Sequence, residues 1–439
     1  MSRTAIIGTG VTGLSCARYL SGADELVVLD TRPEISGASA FDGLVDDLRL
    51  GVECFDFTGF QRVVVSPGVS LDACLVRQAR DAGAELVSDM DLFFAAAQAP
   101  IYAVTGTNGK STVTSLAAEL LQANGVRAAA GGNLGDAALD VLSEDVDAYV
   151  MELSSFQLER MRAHPKAAAV ILNISDDHLD RHGTLARYAE AKQRIYTNAR
   201  VTVSNRAQAL TSPTSAGEQH VTFGLDEAPD ADSWGLIWLD GESWFARGDE
   251  AVLPTSEMQL PGSHNHANFL AACALLALDF EIALEPLRKV AGAYAGLPHR
   301  CVLVRELDGV RYINDSKATN VGATIAAVEG LLPAGRSERI VLIAGGDGKG
   351  ADFSPLLEVR DRLRAVVTTG QDGPLIAETM GTLAAAAAPD MVSAVRAARG
   401  LARPGDLVLL SPACASLDQY PNYMARGDAF EQAVKELDA

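Results

Sequence analysis

No apolar run in the sequence approaches the roughly 18 residues of a membrane-spanning helix, and no tandem repeat is visible. The six cysteines, Cys16, Cys54, Cys74, Cys273, Cys301 and Cys414, include no CxxC pair and no compact spacing. A chain this large does not need disulfide staples, so reduced thiols are expected. Basic residues are scarce beside acidic ones, 36 against 57, for a formal net charge of -21. That balance repels a phosphate backbone and excludes broad electrostatic binding to nucleic acid, while leaving room for a local basic site that takes a small anion. Signal-peptide architecture is also missing, because Arg3-Thr4-Ala5-Ile6-Ile7 reads directly as a strand. A cytoplasmic protein without nucleic-acid or membrane partners is the expectation.

What is present is enough for two or three cores: 439 residues, 48% hydrophobic and 21% charged. Three segments each open on an apolar strand and then alternate strands with helices, the pattern of an α/β fold with mostly parallel sheets. Gln98-Ala99-Pro100 and Gly296-Leu297-Pro298 punctuate them, predicting domains 1–98, 99–297 and 298–439. In the first, strands are expected at Ala5–Ile7, Glu25–Leu29 and Arg62–Val65, with helical pattern from there to about Ala97. The second opens on Ile101–Val104 and carries strands at Ala148–Leu153 and Ala168–Asn173. From about Val201 to Gln259 it turns to short strands, including a hairpin around Asp240-Gly241. In the third, strands are expected at Val302–Glu306, Arg311–Asn314, Ile340–Ala344, Ala365–Thr369 and Leu407–Ser411. The alanine run Ala384–Ala388 reads as helix.

The strongest chemical signal is Gly106-Thr107-Asn108-Gly109-Lys110-Ser111-Thr112, between a strand and a helix. Backbone N–H groups and the positive helix end suit a triphosphate there. Lys110 would reach the β/γ-phosphates and the Ser111 hydroxyl would ligate Mg²⁺. A full GxxxxGK[ST] pattern needs glycine at position 104, where Val104 stands, so the loop is a variant. Glu152, at a strand end facing the crevice of an open sheet, is the candidate metal ligand opposite it. A second cluster is Asn173-Ile174-Ser175-Asp176-Asp177-His178-Leu179-Asp180, after the next strand end. The spacing of His178 and His182 invites a zinc helix, but that motif requires glutamate where Leu179 stands, so His178 is read as serving Mg²⁺ or a phosphate.

Gly8, Gly10 and Gly13 follow the first strand and Asp30 ends the second, which fits a dinucleotide fingerprint. A nicotinamide oxidoreductase is therefore the rival from another class. The same glycine loop serves any nucleotide diphosphate, however, and an oxidoreductase leaves the ATP-type loop unexplained. Tight NADH binding, read by fluorescence, would favour the rival.

Taken together, the blocks GTGVTGLSCARYL, SPG, TGTNGKSTVT, GGNLG, ELSSFQLE, DDHLDRH, HNHAN, LPHR, NDSKATN, GGDGKGADF and SPACASLDQ resemble the Mur ligases, the amino-acid ligases of peptidoglycan synthesis. The resemblance spans the chain. It implies a Rossmann-like N-terminal domain for the UDP-sugar, a central P-loop ATPase-like domain for ATP, and a Rossmann-like C-terminal domain for the incoming amino acid. The last block points to the branch that adds D-glutamate to UDP-N-acetylmuramoyl-L-alanine. The implied chemistry is an acyl phosphate on the substrate carboxylate, attacked by the glutamate amine to release ADP and phosphate.

By resemblance, Val11, Thr12, Asp30, Thr31 and Arg32 form the uridine site, with Ser66, Gly68, Asn133 and His178 toward the rest of the UDP-substrate. Ser111 and Glu152 share one Mg²⁺ and His178 holds a second. Lys192 reads from composition as a solvated helix lysine, but the resemblance makes it a carbamylated metal ligand. Arg300 reaches the γ-phosphate, and Asn265, Asn268 and Asp315 contact adenosine. Lys317, Thr319, Lys349, Ser416, Leu417 and Tyr423 stand near glutamate. Tyr420 and Tyr423 replace the usual phenylalanines, with Pro421 in that turn. A monomer is expected. Two further readings are a folylpolyglutamate-synthetase-like ligase, disfavoured by the complete Gly8–Asp30 region, and a non-catalytic nucleotide sensor. The joint presence of Lys110, Glu152, His178 and Lys192 speaks against the sensor.

Overall fold

The computed structural model describes residues 2–438 except 215–216, 261, 333–334 and 336. Apolar β-branched runs place three sheets along the chain. In the first, β1 (Arg3–Ile7), β2 (Glu25–Asp30), β3 (Asp47–Leu50), β4 (Arg62–Val65) and β5 (Glu85–Val87) lie in the order β3-β2-β1-β4-β5, all parallel. Its β1 and β2 flank the glycine loop that opens helix α1 (Val11–Leu20). Gly13 is required for packing there, since a Cβ would stand 1.9 Å from the Gly8 carbonyl oxygen.

The second sheet has nine strands: β6 (Ile101–Thr105), β7 (Ala128–Gly132), β8 (Ala148–Glu152), β9 (Lys166–Ile171), β10 (Ala199–Asn205), β11 (Gln219–Phe223), β12 (Trp234–Leu239), β13 (Glu242–Arg247) and β14 (Glu250–Pro254). Its parallel part is ordered β11-β10-β9-β6-β8-β7, and β12 to β14 extend it as an antiparallel meander. Asp240 and Gly241, both at positive φ, form the predicted tight hairpin turn.

The third sheet comprises β15 (Val302–Leu307), β16 (Val310–Asn314), β17 (Ile340–Gly345), β18 (Leu363–Thr369), β19 (Ala384–Ala387) and β20 (Leu407–Leu410), ordered β15-β16-β20-β17-β18-β19. Every residue of β17 is buried, and alternate side chains enter two different apolar clusters: Leu342 and Ala344 in one, Val341 and Ile343 in the other. A continuous apolar run is what a strand covered on both faces needs.

Three sequence expectations are corrected here. The alanine run is the edge strand β19, not a helix; pairing with β18 overrides alanine's helix propensity. The region before Ala97 is two helices, α2 (Cys74–Asp81) and α3 (Asp89–Ala96), separated by β5, which is too short to show a period. Strands β3 and β7 also went unpredicted. The chain forms two compact units: residues 1–173, 189–254 and 269–290, and residues 174–188, 255–268 and 291–439. No helix among the described residues is long and apolar enough to cross a membrane.

Candidate functional site

In the first unit the loop after β6 enters helix α4 (Lys110–Ala123), whose N-cap is Gly109 in the left-handed region at φ 84°. Three devices hold it. Asn173 accepts the Asn108 N–H at 2.8 Å and donates to the Asn108 carbonyl at 2.9 Å, while its own carbonyl takes the Thr107 N–H at 2.9 Å. The Lys110 ammonium folds over the loop onto the carbonyls of Gly106 (3.0 Å) and Thr107 (2.8 Å). Lys192, on the helix Leu185–Gln193, donates to the same Gly106 carbonyl at 2.8 Å and to the Thr105 hydroxyl at 3.4 Å.

Lys192 is 1% exposed, so the solvated-lysine reading from composition is wrong. Its helix turns this side chain inward, under the loop. Asn173 heads the second cluster of the sequence, but its role in holding the loop was not foreseen, because its Asn108 partner lies 65 residues away.

Glu152 ends β8, paired with β6 in a register that sets Val104 opposite it, so the carboxylate stands at the sheet end from which the loop leaves. It is 2% exposed, and one carboxylate oxygen accepts from the Asn133 amide at 2.7 Å. The Asn133 N–H also binds the Glu152 carbonyl, at 2.9 Å. The Ser111 hydroxyl is buried on the first turn of α4. A carboxylate and a hydroxyl are hard oxygen donors of the kind Mg²⁺ takes. Among the described residues no three His, Cys, Asp or Glu side chains converge as a ready-made metal site.

The uridine candidates surround the loop of the first sheet. Asp30 accepts from the Thr9 N–H (3.0 Å) and hydroxyl (2.6 Å), and from the Arg32 N–H (3.0 Å) and guanidinium (2.9 and 2.7 Å). Arg32 above all, and then Thr9, hold its carboxyl well below the usual carboxylate range. Asp30 thus fixes the glycine loop while Val11, Thr31 and Arg32 remain exposed. Ser66 is buried and Gly68 exposed on the turn after β4.

The second unit gathers His178, Asn265, Asn268, Arg300, Asp315, Lys317, Thr319, Lys349, Ser416, Leu417 and Tyr423. His178 sits at φ 53° as the N-cap of a four-residue helix, which leaves no zinc-helix geometry with His182. Asp177 beside it forms an ion pair with Lys349 and accepts from Asn320 at 3.2 Å. Asn268 donates to Asn265 at 3.3 Å. Asp315 faces inward, accepting from the Ser411 hydroxyl (2.8 Å) and the Cys301 N–H (3.2 Å). Burial pushes its carboxyl up to about 7. The Lys317 ammonium lies 4.2 Å from the Tyr423 ring centroid, a cation–π contact. The Thr319 N–H binds the Lys317 carbonyl at 2.8 Å. Ser416 is buried, and Leu417 is 70% exposed.

Sequence reasoning missed Arg426, which connects these groups. It is buried, donating to the Ser316 hydroxyl (3.0 Å) and carbonyl (2.8 Å) and to the carbonyls of Cys414 (3.0 Å) and Ala415 (3.1 Å). One guanidinium therefore joins the segments bearing Lys317, Ser416 and Tyr423. Burial lowers it to about 10, which leaves it charged at neutral pH.

Comparison with known proteins gives a consistent picture. The profile of the Mur ligase MurD-like N-terminal domain matches residues 2–88, that of the Mur ligase middle domain 104–276, and that of the Mur ligase glutamate ligase domain 299–414. A UDP-N-acetylmuramoylalanine--D-glutamate ligase of Marinobacter nauticus is 45% identical, over 99% of this chain and 98% of its own length. The enzyme of that name from Pseudomonas aeruginosa is 46% identical, over 98% and 97%. Among solved structures, the UDP-N-acetylmuramate-alanine ligase of Thermotoga maritima shares the fold at a TM-score of 0.63 and 19% identity, covering 99% of both chains. MurF from Acinetobacter baumannii does so at 0.62 and 19% identity, over 97% of this chain and 93% of its own.

Proposed function

This chain belongs to the Mur ligase family, and we infer that it joins D-glutamate to UDP-N-acetylmuramoyl-L-alanine at the expense of ATP, in peptidoglycan precursor synthesis. The observation that carries the reading is the convergence of Lys110 and Lys192 on the Gly106 carbonyl, beneath a loop whose neighbouring strand ends on a buried carboxylate.

A triphosphate seated at the N-terminus of α4, where the loop ends, meets the α4 dipole and the Lys110 ammonium, which stabilises charge on the transferring phosphoryl group. Ser111 and Glu152 would hold Mg²⁺, which when bound neutralises that charge further. Among the described residues no three His, Cys, Asp or Glu side chains gather around Glu152, which leaves room for a further anionic ligand. Carbamylation of Lys192 supplies one: the neutral amine adds to CO₂ and loses a proton, turning a cation into an anion. The remaining carbamate N–H keeps a donor for the Gly106 carbonyl. His178 is assigned to a second Mg²⁺ and to the UDP-substrate.

The substrate carboxylate attacks the γ-phosphorus, ADP leaves, and the glutamate amine then attacks the acyl phosphate carbon. Collapse of the tetrahedral adduct breaks the C–O bond to phosphate and leaves the amide. Val11, Thr12, Asp30, Thr31, Arg32, Ser66, Gly68 and Asn133 are assigned to the UDP-substrate, and Arg300, Asn265, Asn268 and Asp315 to ATP. Lys317, Thr319, Lys349, Ser416, Leu417 and Tyr423 are assigned to glutamate, whose two carboxylates suit lysine and hydroxyl donors. The domains divide at 98/99 and 297/298, and the protein works as a cytoplasmic monomer.

The test is phosphate release from ATP with UDP-N-acetylmuramoyl-L-alanine and, in turn, D-Glu, L-Glu, L-Lys and D-Ala. Release with D-Glu alone is expected; no release with either glutamate overturns the reading.

A further inference from the structure

The loop Ser66–Val69 is held by a side chain from the neighbouring sheet. Helix α5 (Ser155–Arg160) follows β8 and starts at a capping box in which Ser154 accepts the Gln157 N–H and the Gln157 side chain accepts the Ser154 N–H. At its far end Arg160 donates to three carbonyls of that loop: Ser66 at 2.6 Å, Pro67 at 2.9 Å and Val69 at 3.0 Å. A fourth bond, to the Phe156 carbonyl at 2.7 Å, fixes the guanidinium to its own helix. Gln157 donates to Asp89 of α3 at 3.4 Å, and Arg162 of the same segment donates its N–H to Asp91 at 2.8 Å.

In a trans peptide the C=O and the following N–H point in opposite directions. With the Pro67 carbonyl drawn to Arg160, the Gly68 N–H must face away from it. Gly68 is exposed, and a Cβ added there would meet nothing within 4 Å. Pro67 has no N–H, and the N–H groups of Ser66 and Val69 bind the carbonyls of Ile7 and Ser66, each at 3.0 Å, so Gly68 supplies the remaining N–H of this turn. We propose that Arg160 is a positioning residue: it sets the Ser66–Val69 turn so that Gly68 N–H presents to the diphosphate of the UDP-substrate, and it ties that turn through α5 to the strand ending at Glu152. The inference rests on assigning Ser66 and Gly68 to the UDP-substrate.

The test measures UDP affinity by calorimetry, the KM values for UDP-substrate and ATP, kcat, and melting temperature for Arg160→Ala, Arg160→Lys and Gly68→Pro. Arg160→Ala is expected to weaken UDP and raise the UDP-substrate KM about tenfold, as lost bonds to a charged group would. The ATP KM should stay within about twofold, and millimolar guanidinium should restore part of the loss. Arg160→Lys, which keeps the charge but cannot span three carbonyls, should fall between. If Arg160→Ala does not fold, Arg160→Lys with a weakened UDP affinity and an unchanged ATP KM supports the proposal. Lower melting temperature with unchanged UDP affinity, or equal losses for UDP and ATP, overturns it. Gly68→Pro, which removes the N–H itself, separates the two claims. If it weakens UDP while the Arg160 variants do not, only the positioning role fails; if it leaves UDP binding intact, the assignment of the loop itself fails.

Discussion

Two loops leave sheet ends in the first unit, and they are held in different ways. The Gly106–Thr112 loop is fixed largely from its own sheet, by Lys110 within it and by Asn173 at the end of an adjoining segment. The Ser66–Val69 loop is fixed by Arg160, from another sheet. The first arrangement makes a self-sufficient anion cradle. The second makes the geometry of one ligand loop depend on the element that follows the metal-ligand strand. Under the proposed assignment of this loop to the UDP-substrate, covalent chain and hydrogen bonds connect that site to Glu152.

Breaking the first loop should have the largest effect. Lys110→Ala removes the cation over the transferring phosphoryl group, and steady-state assays should show kcat reduced by about 10²–10³-fold. Lys192→Ala should lose activity on the same scale, with partial recovery in acetate, a free carboxylate that can enter the gap; an unimpaired Lys192→Ala would remove the ligand role. Asn173→Ala removes two side-chain hydrogen bonds to Asn108. It should raise the ATP KM by about 5–30-fold with little change in UDP affinity, the mirror image of the Arg160 variants.

A stability prediction concerns the second unit, where Arg426 plays the part that Arg160 plays in the first. Arg426→Leu removes the guanidinium from the Ser316 and Cys414 carbonyls in a buried site, while Ala415 keeps the Asp347 N–H and the Ser316 hydroxyl keeps the Tyr423 carbonyl, and should lower unfolding free energy by about 3 kcal/mol in urea titrations. Glutamate KM should rise with it, because Lys317 and Ser416 lose their common tie.

The smallest effect is a pH dependence at the junction of α3 and α5. Burial raises Asp89 to about 6, opposed by Gln157 and the charge of Arg160. The folded state therefore holds this proton more tightly than the unfolded chain, whose aspartate titrates near 3.9. Its stabilising contribution is complete below about pH 4 and is lost as pH rises through about 6, amounting to roughly 2–3 kcal/mol. Asp89→Asn mimics the protonated form. Melting curves should show the variant matching the parent near pH 4.5 and exceeding it at pH 7.5; parallel curves would exclude the effect.

Much of this was legible in the chain itself. The GKST loop is visible because its donors are backbone groups and side chains contiguous in sequence. Asp30 and Glu152 are visible as acids closing apolar strands. The alternation of strands and helices gave the three parallel sheets, and the Asp240-Gly241 turn gave the hairpin. Arg160, Arg426 and the loop contacts of Asn173 were illegible for a common reason: each reaches a partner far off in sequence, and nothing around it marks the reach. Arg160 and Ser66 are 94 residues apart. Composition alone misreads Lys192, because a lysine among Glu, Gln and Arg looks like a solvated face, and packing against the loop shows that it points inward. The alanine run went wrong where pairing with β18 decided the conformation.

The central claim is that the Gly106–Thr112 loop aims the γ-phosphate at a substrate carboxylate rather than at water. Its most direct test uses UDP-N-acetylmuramoyl-L-alanine labelled with ¹⁸O in the alanine carboxylate, with mass analysis of the phosphate released on turnover with D-glutamate. An acyl phosphate intermediate places one carboxylate oxygen in every phosphate formed. Phosphate without the label, from a reaction that still makes the amide, would contradict it.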